Sequence, residues 1–478
     1  MSAKHLRAVL VSAAIPALLA TAFAPGAHAG VALIGIGQLS GSDLSGLSGT
    51  LEDGTAANIL GGLGSAIAWA GGDSFLMTPD RGPNASTWNA AVDNTTSWIP
   101  RFQTVSLGLT GTAFSTASVT TLTPTLTATT LLSSTTALNY GSAPVLTGSA
   151  GQHYFTGRSD AFAAGLSTNP ANARFDPEGI RVAADGRSVY ISDEYGPYLY
   201  RFDRATGERT GVVALPGKFA ATTLSAVGDT EIATNTVGRV ANKGMEGLAI
   251  TPDGRTLVGI MQSPLAQDGG TSASTVRIVT IDLATGKLTH EYAYQLDNLG
   301  TAAKPKYGSI SEIVAINDHQ FIIDERDGKG LGDDSKAVHK KLYTIDLAGA
   351  EDVSALTGEA ALAGKAVGKS LLVDLVALLK ANGYTDRNIP AKIEGLAFGP
   401  DLRVDGVLQR SLIVVNDNDF LDSASVQGVT TANPNQFFVL GVSTDLLPAF
   451  NAQLIPEPGS ATLAALGLGG LLLRRRKG

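Results

Sequence analysis

The sequence predicts an all-β protein, a β-propeller of four-stranded antiparallel blades, on three observations. One short pattern recurs along the chain: an acidic residue, a small residue, an apolar strand, a turn, a second apolar strand and a further acidic cluster. The segments between these copies alternate with period two and end in Gly, Asn or Asp turns, as strands do. Glycine is abundant, 56 of 478 residues, while only 16% of the chain is charged. That composition suits many tight turns around apolar strands and argues against charge-driven disorder.

Taken in order, a degenerate first copy runs from Gly61 to Trp69 and then from Ser74 to Asp80-Arg81. The Thr/Ser-rich stretch of about 104–150 follows, an insertion whose Val/Leu/Thr alternation leaves room for an extra blade. The second copy starts at Asp176-Pro177-Glu178-Gly179, turns at Asp185-Gly186 and ends at Asp193-Glu194-Tyr195. The third starts at Met245-Glu246-Gly247 and turns at Asp253-Gly254. The fourth runs from Ser311-Glu312 through Asn317-Asp318 to Asp324-Glu325-Arg326. The fifth runs from Ile393-Glu394-Gly395 through a longer loop to Asn416-Asp417-Asn418-Asp419. Further strands are expected at Tyr198–Asp203, Val276–Asp282 and Lys341–Asp346. Five copies and the gap before residue 178 lead us to expect six blades, within a range of five to seven. Residues 369–382 read as a short inserted amphipathic helix ending at Asn382-Gly383.

The two ends read as addresses rather than fold. Residues 1–29 have a basic start (Lys4, Arg7), an apolar run and an Ala27-His28-Ala29 cleavage site, which is a secretory signal for signal peptidase. Residues 456–478 carry Pro456-Glu457-Pro458, an Ala/Leu/Gly run from Ala461 to Leu473 and a basic end, Arg474 to Lys477. This thirteen-residue run spans about 20 Å as a helix, short of the roughly 30 Å hydrocarbon core. This tail resembles the PEP-CTERM sorting signal. That resemblance implies a Gram-negative bacterial protein, cleaved by an exosortase, exported to the cell surface or extracellular matrix and touching the membrane only transiently. Between the ends, residues 30–455 form the propeller domain.

Without its ends the chain's formal charge of −8 becomes −13, which disfavours nucleic acid as a partner. The chain has no Cys, which excludes disulfides, thiolate metal sites and Cys nucleophiles. His5, His28, His153, His290, His319 and His339 show no metal-ligand spacing. There is no Gly-x-Ser-x-Gly elbow, phosphate-binding Gly-Lys-Ser/Thr loop or His-Glu-x-x-His. Carboxylates are the chemistry that remains.

Counting back from each turn as a regular hairpin pairs Glu178 with Asp193 (a four-residue turn brings in Glu194 instead), Glu246 with Met261 and Glu312 with Asp324, and the longer loop before Leu412 leaves room for Asp417 opposite Glu394. Propeller blades point equivalent strand ends at one mouth. The expected metal shell is therefore Asp80, Glu178, Asp193, Glu194, Glu312, Glu394 and Asp417, with Glu246, Asp324 and Glu325 as catalytic candidates. So many carboxylates need cations, and hard oxygen ligands suit Ca²⁺. Arg81, Lys243 and Arg326 are the candidate grips for an anionic or ester substrate. The repeated Glu-Gly serves equally well as a structural cap in each blade.

The blocks Asp176–Ile180, Ser192–Pro197, Lys243–Leu248, Ile323–Asp327, Lys392–Leu396 and Asn416–Phe420 together resemble the "esterase-like activity of phytase" (phytase-like) domain. The resemblance spans about Gly61 to Val442. It implies an exported propeller that hydrolyses phosphate or carboxylic esters. The alternative is a non-catalytic surface- or matrix-binding propeller with structural cations.

Overall fold

The structure, a computed structural model, describes residues 30–83, 88–93 and 96–455. The expected signal and sorting segments lie outside the described residues. Five antiparallel sheets form the blades. The first comprises Ala66–Trp69, Ser74–Thr78, Arg101–Ser106 and Thr125–Leu131. The second comprises Pro177–Val182, Ser188–Asp193, Tyr198–Asp203 and Arg209–Ala214. The third comprises Met245–Ile250, Thr256–Met261, Thr275–Asp282 and Lys287–Gln295. The fourth comprises Ser309–Ala315, Gln320–Arg326, Lys340–Asp346 and Lys369–Asp374. The fifth joins Lys392–Phe398, Val407–Asp417 and Asn435–Ser443 to the first strand of the domain, Val31–Leu39. Both ends of the domain thus meet in one blade, which closes the ring.

Burial follows position in the ring. The first strand of the second blade is buried at every residue, whereas the outer strand Arg209–Ala214 alternates half-buried and exposed. Neighbouring blades bury a separate apolar cluster at each junction. Phe102 meets Tyr200 and Phe202 between the first two blades. Leu199 meets Leu248 at the next junction, and Ile260 meets Ile313 at the third. Ile322 meets Leu396, and Phe75 meets Ile413, at the last two. Five such layers replace a single central core.

Three expectations are corrected. The blades number five, not six, because the Thr/Ser-rich stretch builds no blade of its own. It supplies Thr125–Leu131 as the outer strand of the first blade, and Thr120–Thr121 pairs parallel to the edge of the fifth at Gly35 and Ile36. The helix expected over 369–382 is shorter, Leu375–Ala381, capped by the Asp374 side chain. Lys369–Asp374 is instead the outer strand of the fourth blade, since an unpaired edge at Lys340–Asp346 was available to it. The regular-hairpin registers also fail in three blades. Asp193 faces Pro177 and Met261 faces Met245, because one extra residue interrupts each inner strand; Asp417 faces Lys392, two residues from Glu394, the bulge supplying one residue of the difference and the register set by the long loop the other. The pairing of Glu312 with Asp324 holds.

Candidate functional site: an acidic mouth over a pinned channel

The interruptions are β-bulges, and they recur at one level of the ring. In the last four blades the register shifts around Glu178, Glu246, Ser311 and Glu394. A bulge re-aims its side chain and bends the strand. Aligning the blades on their pairs gives five equivalent inner positions, Ser65, Glu178, Glu246, Ser311 and Glu394. The equivalent positions after the second strands are Asp80, Glu194, Gln262, Arg326 and Asp417. These ten residues form the mouth.

The Gly after each Glu has a packing reason. A Cβ on Gly247 would lie 2.8 Å from the backbone nitrogen of Ile313, and one on Gly395 3.0 Å from the carbonyl of Gly64. Glycine therefore lets neighbouring inner strands approach. In the fourth blade Glu312 takes this slot, so Ser311, not Glu312, is the equivalent of the repeated Glu.

Glu312 consequently leaves the mouth and enters the channel. Its Oε1 accepts from Leu248 N and Ile313 N, both at 2.9 Å, and lies 3.1 Å from Arg181 Nη2. Arg181 donates to the carbonyls of Ile67, Ile180 and Ile313 at 2.6–2.8 Å and of Leu396 at 3.4 Å. Ala68, Ala249, Val314 and Ala397 hold the equivalent position in the other blades, which leaves room for one guanidinium. This pair pins the channel below the mouth, so the mouth is a cup and not a pore.

Within the cup, charges are interleaved. Arg81 donates to Asp176 at 2.8 Å and lies 4.0 Å from Glu194. Lys392 pairs with Asp417 at 3.2 Å and with Asp419. Arg326 pairs with Glu394 and donates to Ser311 Oγ at 2.7 Å. Lys243 holds Gln262, which donates at 2.7 Å to Glu246 Oε1. The other oxygen of Glu246 is buried without a partner. Two triads, Asp176/Glu178/Glu194 and Asp80/Asp417/Asp419, bring carboxylate oxygens within 4.8 Å of one another. The first could hold a hard cation, while the Lys392 ammonium already sits on Asp417 and Asp419 in the second.

The electrostatics register the crowding. Burial, then Glu246 and Asp176, push the Glu178 carboxyl well above its usual range. Burial, then Asp417 and Asp176, do the same to Asp80. Burial, then Glu194 and Glu394, do it to Glu246. Glu194 and Asp417 are each pushed up to about 7, chiefly by burial.

Three other candidates lie elsewhere. Asp193 folds into its own loop, accepting from the backbone N–H groups of Asp176, Tyr195 and Gly196. Asp324 lies one layer beneath Arg326 on the same strand face, both oxygens buried without hydrogen bonds. Burial pushes its carboxyl far up, against the pull of Arg326 and Lys340. Strand alternation turns Glu325 the opposite way, toward the third blade. There it binds Tyr294 OH (2.8 Å), Lys369 Nζ (2.7 Å), His339 Nε2 (3.2 Å) and Asp297 N (2.7 Å). Asp297, Glu325 and His339 cluster tightly, but the Lys369 ammonium already lies 2.8 Å from Asp297. Sequence reasoning missed Arg181, Asp176 and Asp419 as site-forming residues. Asp176, two residues before Glu178, was the legible one.

A curated relative, an uncharacterized secreted protein of Arthroderma benhamiae, is 34% identical over 138 residues. The match spans 25% of this chain and 27% of that protein. Among solved structures, the periplasmic gluconolactonase of Pseudomonas aeruginosa is 12% identical, covering 86% of this chain and all of that one, with TM-score 0.33. Hydrazine synthase of Kuenenia stuttgartiensis is 11% identical, covering 78% and 80%, with TM-score 0.30. Likenesses this distant add nothing to the architecture described above. The family described as esterase-like activity of phytase matches residues 58–420, from eight residues before the first inner strand to the end of the Asn416–Phe420 block, and the chain belongs to this phytase-like family.

Proposed function

We propose that the mouth hydrolyses phosphate or carboxylic esters with a hard cation of the Ca²⁺ type, in an exported protein. The observation that carries this reading is the buried Asp176/Glu178/Glu194 triad, which has one guanidinium, Arg81, in direct contact. Buried carboxylates so placed cannot all ionise without added positive charge. Asp176, Glu178 and Glu194 would hold the ion, whereas Lys392 already neutralises Asp417 and Asp419. When bound, it would supply Lewis-acid polarisation of the ester and a more acidic water. Arg326 and Lys243 would orient the substrate's oxyanion. Glu246, with its unpartnered oxygen, would take the proton of the attacking water once positive charge in the cup lowers its pKa. The new bond would join water oxygen to phosphorus or acyl carbon, the ester's P–O or acyl C–O bond would break, and the leaving alkoxide would take the proton from Glu246 to depart as the alcohol.

Export rests on the 1–29 signal pattern, with the word "secreted" in the relative's name in support. PEP-CTERM processing by an exosortase in a Gram-negative cell belongs to the same proposal. Cation pairing within the cup (Arg326 with Glu394, Lys392 with Asp417) favours the second reading, a non-catalytic binding propeller with structural cations.

The test uses residues 30–455 with p-nitrophenyl phosphate, phytate and p-nitrophenyl butyrate, with Ca²⁺ and with chelator. Turnover should appear with Ca²⁺ and vanish with chelator. Glu246→Gln should lower kcat by about 10²–10⁴-fold with folding retained. Absence of turnover on all three by a folded protein overturns the enzyme reading.

A further inference from the structure

Past its last blade strand the chain stays on the domain. Residues 447–455 form a strap across the underside of the ring, at the end of the channel opposite the mouth. Phe450, Asn451 and Gln453 close a cavity of about 50 Å³ below Arg181, whose walls also include Ala68, Ile250, Val314 and Ala397, one from each remaining blade. We infer that this lower face is the one turned toward a lipid bilayer, held there through residues 456–478, and that the strap is what keeps the mouth pointing away from the membrane.

The strap is fastened on both sides of its crossing. On the near side Asn451 N donates to Ile316 O at 2.8 Å, and Asn317 Nδ2 donates to Ala449 O at 3.1 Å. The Phe450 ring lies 4.5 Å from that of Phe398, with the Arg410 guanidinium 4.7 Å from its centroid. On the far side Gln453 Nε2 donates to Val182 O at 2.7 Å, and Ile455 packs against the cluster between the first two blades. The domain also begins on this side, where Gly30 O accepts from Ser443 N at 3.0 Å. Five residues separate Ile455 from the apolar run that starts at Ala461, a leash of about 20 Å when fully extended. In the last four blades the inner strands are six or seven residues long, which puts about 20 Å between the lower face and the mouth. The connections above the mouth add to that height, so a leash that starts at Ile455 cannot carry the apolar run round to the mouth side. A strap peeled back to Leu447 would add about 25–30 Å of chain and remove that limit. Cleavage beside Pro456 leaves the new C-terminus on the same face. The exposed turns here mix both signs, Asp185 with Arg187 and Asp253 with Arg255, so the tail rather than the propeller supplies the membrane affinity.

This orientation rests on the membrane reading of the tail and not on ester hydrolysis. The chain has no Cys, so one introduced Cys carries one fluorescent probe. Leu446→Cys labels the lower side just before the strap, and Val338→Cys labels the mouth side, in the connection from Arg326 to Lys340; both side chains are exposed. Energy transfer from each probe to head-group-labelled lipid is measured with residues 30–478 on phosphatidylcholine/phosphatidylglycerol vesicles. Transfer from position 446 should exceed transfer from position 338. Adding Phe450→Ala and Gln453→Ala together should erase that difference, while the propeller still unfolds cooperatively in urea. Equal transfer from the two positions, or more from 338, overturns the inference, as does a difference that survives loosening of the strap. Vesicle binding by residues 30–455 as strong as by residues 30–478 also overturns it, because the propeller would then hold the lipid itself. A chain of residues 30–478 that stays off the vesicles sinks the membrane reading of the tail, and the orientation with it.

Discussion

Arg181 and Glu312 show how one side chain pair can organise a ring. Arg181 reaches carbonyls of four inner strands, and Glu312 supplies the fifth contact through Leu248 N. Burial pushes Glu312 up to about 7 even with Arg181 pulling it down. Removing the guanidinium leaves a buried acid and four carbonyls short of a donor. Arg181→Leu should therefore cost about 3–5 kcal/mol in urea unfolding, and Glu312→Gln, which keeps an acceptor for Leu248 N, much less. Equal, small losses would mean that water replaces the pair. Of the repeated acids, Glu178, Glu246 and Glu394 were readable from Glu-Gly alone. Glu312 looked like a fourth, but Ser311 holds that place. Glu325 was adjacent to the right residues and on the wrong face.

Three inner strands solve a crowding problem with a bulge followed by glycine, and the fourth blade keeps the bulge but has Glu312 after it. Hairpin counting assumes one residue opposite one, so it cannot register the extra residue that turns the Glu into the mouth. In the first blade, where the paired stretch is regular, Gly64 marks the tightest approach. A Cβ there would lie 2.0 Å from the carbonyl oxygen of Asn416 in the fifth blade. Backbone cannot yield as a side-chain tip can, so Gly64→Ala should cost about 1–3 kcal/mol or more on chemical denaturation. It should also disturb the adjoining Asp417. An unchanged midpoint would show that the inner strands stand further apart than described. The strand at Lys369–Asp374 teaches the same lesson at the outer edge. Its Leu-Leu-Val run fits either a helix or a strand, and the open edge of Lys340–Asp346 decided.

For the molecule as a whole, buried acids in the cup, in the channel and in the loop beside them set a pH dependence. Asp193, Glu194, Glu312 and Asp417 are all pushed up to about 7, chiefly by burial. The folded protein keeps protons that the unfolded chain releases in the ordinary carboxylate range, near 4. Stability from these groups is thus full below that range and is lost as pH rises through about 7. In chelator, Tm should fall steadily from pH 5 to pH 8. Millimolar Ca²⁺ at pH 8 should restore it, since an ion that binds only the folded state stabilises it. A flat Tm profile in chelator would show that the carboxylates are already neutralised within the protein.

Composition, turn residues and the recurring Glu-Gly pattern by themselves determined an all-β ring with acids at one level, because strand alternation and turn chemistry are local. They also determined that no thiol chemistry operates. Blade number was decided only by which free edge each strand met. The N-terminal strand Val31–Leu39 closes the fifth blade, and the Thr/Ser-rich stretch completes the first. Which acids face one another was decided by bulges, and the pin across the channel by four small residues opposite Arg181. These are contacts between segments far apart in the chain, and close packing of neighbouring blades, rather than any local preference, selects them.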